Sequence, residues 1–162
     1  MIRLPYDLAV SIKSSDDLSP EGEALPALAN RLGYLLKHAQ MRLTNLTGAA
    51  MAPFGINGRE CAVLIAIDDR HPVSQQEVAR KLGVDRTTMV ALIDVLETKG
   101  LVQRRQDPDD RRRNLVELTR VGKDTLRKAS RAGDEAERHF FGAMSDVEAA
   151  RFTRALRSLA FT

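Results

Sequence analysis

The sequence predicts a mainly α-helical protein with a small β-hairpin wing: a winged helix-turn-helix lobe set between helices from the two ends of the chain. Three observations predict it. Two helix-patterned runs, Ser74 to Leu82 and Asp85 to Lys99, are joined by a tight turn at Gly83-Val84. Two β-prone segments follow, Leu101 to Arg105 and Asn114 to Leu118, on either side of the Arg-rich stretch Gln106 to Arg113. Helix, tight turn, helix and basic hairpin is the order of a unit whose second helix enters the major groove of DNA. Finally, only 4% of the 162 residues are aromatic and none is Trp, so the core must be built from Leu, Val, Ile and Ala, which favours helices over a β-sandwich.

From the N-terminus, residues 1–22 have no clear period, and Ser14 to Pro20 has the composition of a linker. A flexible tail and an arm that crosses to a partner subunit both fit this stretch. From Leu25, apolar residues recur at intervals of three and four (Leu28, Leu32, Leu35, Leu36, Ala39, Leu43, Leu46), the stripe of one long helix running to about Met51. Pro53, Gly55 and Gly58 end it. Asn57-Gly-Arg-Glu60 has the spacing of a capping box, and Cys61 to Ile67 then reads as a fully buried core helix, although a strand fits so short a run as well.

Ser74-Gln-Gln-Glu77 is a second capping box, with Val78, Ala79 and Leu82 as the buried face of the helix it starts. Gly83 allows the positive backbone dihedral of a tight turn. Asp85 is a good N-cap, which puts Arg86, Thr87 and Thr88 in the first turn of the next helix, while Met89, Leu92, Ile93 and Leu96 point to the core. That first turn is the part that reaches base edges: Arg can donate two hydrogen bonds to guanine, and Thr methyl groups can contact thymine. Beyond the hairpin, Thr119 to Lys123 starts a helix with Val121, Leu126, Ala129, Ala132, Ala136 and Phe140 in period. After a break at Gly142 to Ser145, Ser145-Asp-Val-Glu148 caps a last helix carrying Val147, Phe152, Leu156 and Leu159. These outer helices have more apolar stripe than a central lobe of about sixty residues can cover, and a second copy of the chain is the economical partner. The division expected is therefore an N-terminal arm or tail over 1–22, a helical dimerisation region over 23–56 and 120–162, and a DNA-binding lobe over 57–119.

Charge points the same way. The net charge is only +3, yet Gln103 to Arg113 holds Arg104, Arg105, Arg111, Arg112 and Arg113 against three aspartates. A basic cluster in a nearly balanced chain fits a local groove or phosphate contact. An enzyme is not indicated. His38, His71 and His139 have no carboxylate or Cys at metal-ligand spacing, and Gly-rich phosphate loops and nucleophile elbows are missing from the sequence. No metal or other cofactor is expected. A single cysteine, no apolar run near the ~18 residues of a membrane span and no continuous apolar leader predict a cytoplasmic, nucleoid-associated protein with no membrane partner.

Gly83-Val-Asp-Arg-Thr-Thr-Met-Val, Leu96-Glu-Thr-Lys-Gly-Leu-Val-Gln-Arg104 and above all Asp107-Pro-Asp-Asp-Arg-Arg-Arg-Asn-Leu-Val-Glu-Leu-Thr-Arg-Val-Gly122 resemble the MarR family of bacterial transcriptional regulators. The resemblance spans about residues 25 to 160, including Leu32-Gly-Tyr-Leu-Leu36. It implies a homodimer on a pseudo-palindromic operator, held by the first and last helices, with repression the commoner behaviour. Ser74, Gln75, Arg86, Thr87, Thr88, Arg104, Arg111, Arg112 and Arg113 are then the expected contacts to double-stranded DNA. Arg112 is the wing-tip residue in the minor groove, oriented by Asp110. Many members of the family release DNA when a small phenolic or aromatic carboxylate binds near the dimer helices, and Tyr34, His38 and Arg42, four residues apart on the first helix, are the candidates for such an effector. Other members sense oxidants through a cysteine on or near the first helix. Cys61 departs from that pattern, because it lies in the second helix among apolar neighbours, where a buried, unreactive thiol is expected. Two alternatives stay open at this point: oxidant sensing through Cys61, and a winged helix used as a protein-interaction module.

Overall fold

A computed structural model describes residues 28–68, 72–107, 114–142 and 144–161. Its elements in chain order are α1 (Leu32–Met51), a 3₁₀ turn (Ala52–Phe54), α2 (Gly58–Ile67), β1 (Val73–Ser74), α3 (Gln75–Leu82), α4 (Arg86–Thr98), β2 (Val102–Gln106), β3 (Asn114–Leu118), α5 (Arg120–Phe141) and α6 (Asp146–Ala160). The chain divides into two units, Met1–Leu36 and Lys37–Thr162. In the first, residues 28–30 form a turn and α1 begins at Leu32, later than the apolar period starting near Leu25 predicts. Leu28, Leu32, Leu35 and Leu36 are all exposed in the single chain.

The second unit holds the core. Met51, Ile56, Cys61, Val63, Leu64 and Ile67 lead into it, and Val78, Ala79, Met89, Ile93, Leu96, Val116, Leu126 and Ala129 complete its centre. Capping chemistry sets where its helices start. Asn57 accepts from the Glu60 N–H at 3.0 Å while Glu60 accepts from the Asn57 N–H at 2.9 Å, so the first predicted box closes in both directions. Cys61 to Ile67 is helical, which settles the helix-or-strand ambiguity. It is not fully buried, because Ile65 is 58% exposed: one face of any helix packed on one side must point outward.

The wing is one strand richer than a hairpin. The described strands form an antiparallel sheet in the order β1-β3-β2, with Val73 opposite Val116 and Ser74 opposite Leu115. Ser74 thus ends a strand and also caps α3, the role its spacing predicts. Its hydroxyl accepts from the Glu77 N–H at 3.2 Å. In the hairpin itself, Val102 faces Leu118 and Gln106 faces Asn114.

The start of α5 is pinned to the start of β2. The Thr119 N–H donates to the Leu101 carbonyl at 3.0 Å, and its hydroxyl donates to the Gly100 carbonyl at 2.7 Å while capping Gly122. A Cβ on Gly122 would lie 1.9 Å from the Leu101 oxygen, so only glycine fits there. Helical periodicity misplaces part of the face of this segment: Ala132 and Phe140 are only half-buried. Val121 is exposed, and Gly122, Leu126, Ala129, Gly133 and Ala136 form the buried face. Small residues at 122, 129, 133 and 136 let the helix approach closely, and Gly133 faces the Met51 methyl. A closed capping box at Ser145 and Glu148 starts α6, none of whose residues is fully buried in the single chain.

Candidate nucleic-acid interface

The turn between α3 and α4 follows from two residues. Gly83 takes a φ of 65°, and the Val84 N–H returns to the Ala79 carbonyl at 3.1 Å, which ends α3 and swings the chain into α4. Asp85 then caps α4. One carboxylate oxygen accepts from the Thr88 N–H at 2.9 Å and the other from the Thr88 hydroxyl at 2.6 Å. The hydroxyl bond, then the backbone bond, holds the Asp85 carboxyl below the usual carboxylate range. Met89, Ile93 and Leu96 anchor the opposite face of α4 in the core, with Leu92 packed against them, so its first turn is held rigidly with Arg86, Thr87 and Thr88 exposed.

These three residues stand together as the sequence predicts, but not as equals. The Thr88 hydroxyl is engaged by the cap and offers a neighbouring base mainly its methyl group. Arg86 and Thr87 carry the outward-facing donors at a helix N-terminus, where the aligned peptide dipoles also attract phosphate.

The remaining predicted contacts divide. Gln75 opens α3, directly after the β1 strand. Arg104, in the middle of β2, turns its guanidinium inward to Asp94 and Glu97 of α4. Arg111, Arg112, Arg113 and the wing-orienting Asp110 lie outside the described residues, as does His71.

A second charged tie links the far end of α4 to α2. The Lys99 ammonium donates to both Glu60 oxygens at 2.7 and 2.8 Å and to the Gly55 carbonyl at 2.8 Å. The Glu60 side chain is only 5% exposed, so one carboxylate closes the α2 capping box and also holds the end of α4. Sequence reasoning found the box and missed the tie, because nothing in local spacing pairs residues thirty-nine positions apart.

Of the effector candidates, Tyr34, His38 and Arg42 all lie on α1. Arg42 stacks over the Phe140 ring, 5.5 Å from its centroid. Phe140, Phe141 and Phe152 continue edge-to-face from α5 to α6, with centroids 5.5 and 6.1 Å apart. Cys61 is buried, and burial pushes its thiol pKa up, away from the reactive thiolate. Among the described residues no cluster of His, Cys, Asp and Glu could hold a metal, and no single helix is long and apolar enough to cross a membrane.

The sequence pattern described as MarR family matches residues 54–113, the stretch from the end of the 3₁₀ turn through the wing loop. The chain is similar in fold to CouR from Rhodococcus jostii RHA1 bound to p-coumaroyl-CoA, with 31% identity over 84% of this chain and 96% of that one and a TM-score of 0.73. The chain belongs to the MarR family. Its winged-helix lobe is the family's regulatory fold. A structure of the repressor CouR on a 23-mer DNA duplex matches with a TM-score of 0.79 and 29% identity, over 86% of this chain and 99% of that one. In sequence, the transcriptional repressor NicR of Pseudomonas putida is 29% identical over 70% of this chain and 72% of its own length. This MarR-family protein is a regulator of transcription by family, a class that is generally not enzymatic.

Proposed function

We propose that this MarR-family protein is a sequence-specific, double-stranded DNA-binding repressor that acts as a homodimer on a pseudo-palindromic operator. The observation that carries the reading is the first turn of α4. Arg86 and Thr87 stand exposed beyond the Asp85 cap on a helix whose other face is locked into the core. The likeness to a repressor seated on duplex DNA supports it. In this reading Arg86 and Thr87 address base edges, the Thr88 methyl contacts thymine, and Gln75 lies at the phosphate-facing start of α3, whose cap Ser74 is itself buried. Arg111, Arg112 and Arg113 supply the wing contacts, with Asp110 orienting Arg112 by a carboxylate–guanidinium bond.

The exposed apolar residues of α6, Val147, Phe152, Leu156 and Leu159, support pairing of two chains. Pairing would set the two recognition helices about 34–36 Å apart, one turn of DNA.

We further propose release by a small aromatic or phenolic anion, with Tyr34, His38 and Arg42 as its contacts. CouR bound to p-coumaroyl-CoA supports an aromatic effector. The alternative switch, oxidation of Cys61, is disfavoured by the burial of its thiol.

Sequencing the DNA that co-purifies with the protein supplies candidate operators for a fluorescence-anisotropy titration. Six to ten phosphate contacts predict a loss of about 10³–10⁵ in affinity between roughly 50 and 200 mM salt. Failure to bind any enriched duplex would leave a winged helix that serves protein contacts instead. For the effector, aromatic acids should dissociate the complex and peroxide should not. Release by peroxide that disappears in Cys61→Ser would overturn the effector proposal.

A further inference from the structure

Arg104 is expected among the DNA contacts for its charge and its place in the wing, and its guanidinium is surrounded by acceptors within the chain. Its backbone N–H donates to Glu97 Oε1 at 3.1 Å. Its Nη1 donates to Glu97 Oε2, and its Nη2 donates to Asp94 Oδ1. Asp94 and Glu97 are three residues apart on α4 and so share a face. The Gln75 amide completes the ring. With its oxygen toward the guanidinium, the orientation in which donors meet acceptors, it accepts from Nε at 2.6 Å and from Nη2 at 3.1 Å. One side chain therefore ties three elements together: the first residue of α3, two positions on α4 and the middle of β2, where Arg104 also faces Val116 of β3.

Electrostatics decides between a phosphate contact and a clamp. The cluster contains one cation and two carboxylates, and all three guanidinium nitrogens already have acceptors. An incoming phosphate would have to displace Asp94 or Glu97 and face their repulsion. A planar guanidinium is also the group best suited to hold two carboxylates and an amide at fixed angles, which an ammonium cannot do.

We propose that Arg104 is a positioning residue for DNA reading: it locks the wing strand β2 to the recognition helix α4 and to the start of α3, so that wing and helix meet the duplex in a fixed relation. The proposal rests on the DNA-binding reading above and adds to it a residue that acts through others. It also assigns roles to Asp94 and Glu97, two acids on a helix that binds a polyanion. Their task is to hold Arg104. Gln75 gains a second role, since the clamp fixes the direction of its amide and turns the NH₂ end away from the guanidinium.

The test uses the full chain and the double variant Asp94→Asn with Glu97→Gln, which removes two negative charges from the lobe. A simple attraction to phosphate predicts tighter binding to every duplex. The clamp predicts that the ratio of operator to random-duplex affinity falls about tenfold. The slope of log affinity against log salt should stay the same, because no phosphate contact is lost. Arg104→Met should repeat that loss, again at constant slope, and Arg104→Lys should recover only a part of it. A slope reduced by about 0.9 in Arg104→Met would identify a phosphate contact and overturn the proposal. So would a double variant whose affinity ratio holds or rises. Amide exchange of the free protein gives a readout independent of DNA: exchange in 102–106 and 114–118 should accelerate in the double variant while α2 and α5 keep their protection. Unchanged exchange in the wing strands would overturn the clamp. Wild-type protein that binds no duplex would refute the DNA-binding reading alone, and the exchange result would still judge the clamp.

Discussion

The lobe from α2 to β3 and the last helix, α6, handle the same apolar chemistry in opposite ways. In the lobe, Leu64, Val78, Met89, Ile93, Leu96 and Val116 are essentially inaccessible within one chain, and two charged ties, Glu60–Lys99 and Arg104 with Asp94 and Glu97, brace the recognition helix from both sides. In α6, Leu159 is 77% exposed and Val147, Phe152 and Leu156 are exposed with it. As helices, α4 of the lobe and α6 are comparably well formed, each with a capped start and an apolar stripe. The difference is that the lobe closes its core within one chain, whereas α6 presents a face that one chain leaves open. Pairing of two copies through that open face, as proposed above, would let two such lobes move relative to each other without either unfolding.

The sharpest way to break this comparison is to make one chemical change in both places. Leu96→Ala should cost about 2–5 kcal/mol in urea denaturation, by the same amount at every protein concentration, because it opens a cavity inside one chain. Leu156→Ala should cost about 2 kcal/mol or less, and the loss should show as a midpoint that shifts with protein concentration, the mark of an interface. Concentration-independent loss in Leu156→Ala would mean that α6 packs within its own chain.

Next in size is the buried tie behind the recognition helix. Lys99→Met leaves the Glu60 carboxylate in its buried place without the ammonium and should destabilise the lobe by about 2–3 kcal/mol in the same denaturation assay. A change within experimental scatter would show that the bond to the Asn57 N–H alone is enough for Glu60.

The smallest effect is the acid sensitivity of the α4 cap. The folded pKa of Asp85 is depressed, so its contribution to stability is fully present above the unfolded carboxylate pKa and is lost as pH falls through the lower folded value. Asp85→Asn keeps a capping oxygen that does not titrate. Its urea midpoint should therefore fall less than that of the wild type between about pH 5 and pH 2, while the two differ little near neutrality. Identical acid limbs would remove Asp85 from the account of the helix start.

The same contrast explains how much was legible in the sequence. Helix starts are local events, so Asn57, Ser74, Asp85, Thr119 and Ser145 could be placed from spacing alone, and each cap forms. The turn at Gly83 and the helix order followed for the same reason. What failed was non-local. The β1 strand is two residues long, too short for any period, and exists only because β3 offers it an edge. The partners of Arg104 were equally hidden: its charge is visible in sequence, but the pairing with Asp94 and Glu97 of α4 is not. Val121 sits in period with Leu126 and Ala129 but gives way to Gly122, since the close approach to the Leu101 carbonyl is a constraint from another element. The wing residues Asp110 to Arg113 fall outside the described residues and rest on the sequence alone.

The measurement that bears most directly on the central claim, that the first turn of α4 reads base sequence, is a paired titration of wild type and Arg86→Ala against the enriched operator and a scrambled duplex of equal length. The account predicts a loss of about 1–3 kcal/mol on the operator and little change on the scrambled duplex, since a bidentate contact to guanine discriminates bases while phosphate contacts do not. Equal losses on both duplexes would make Arg86 a phosphate contact and contradict the claim.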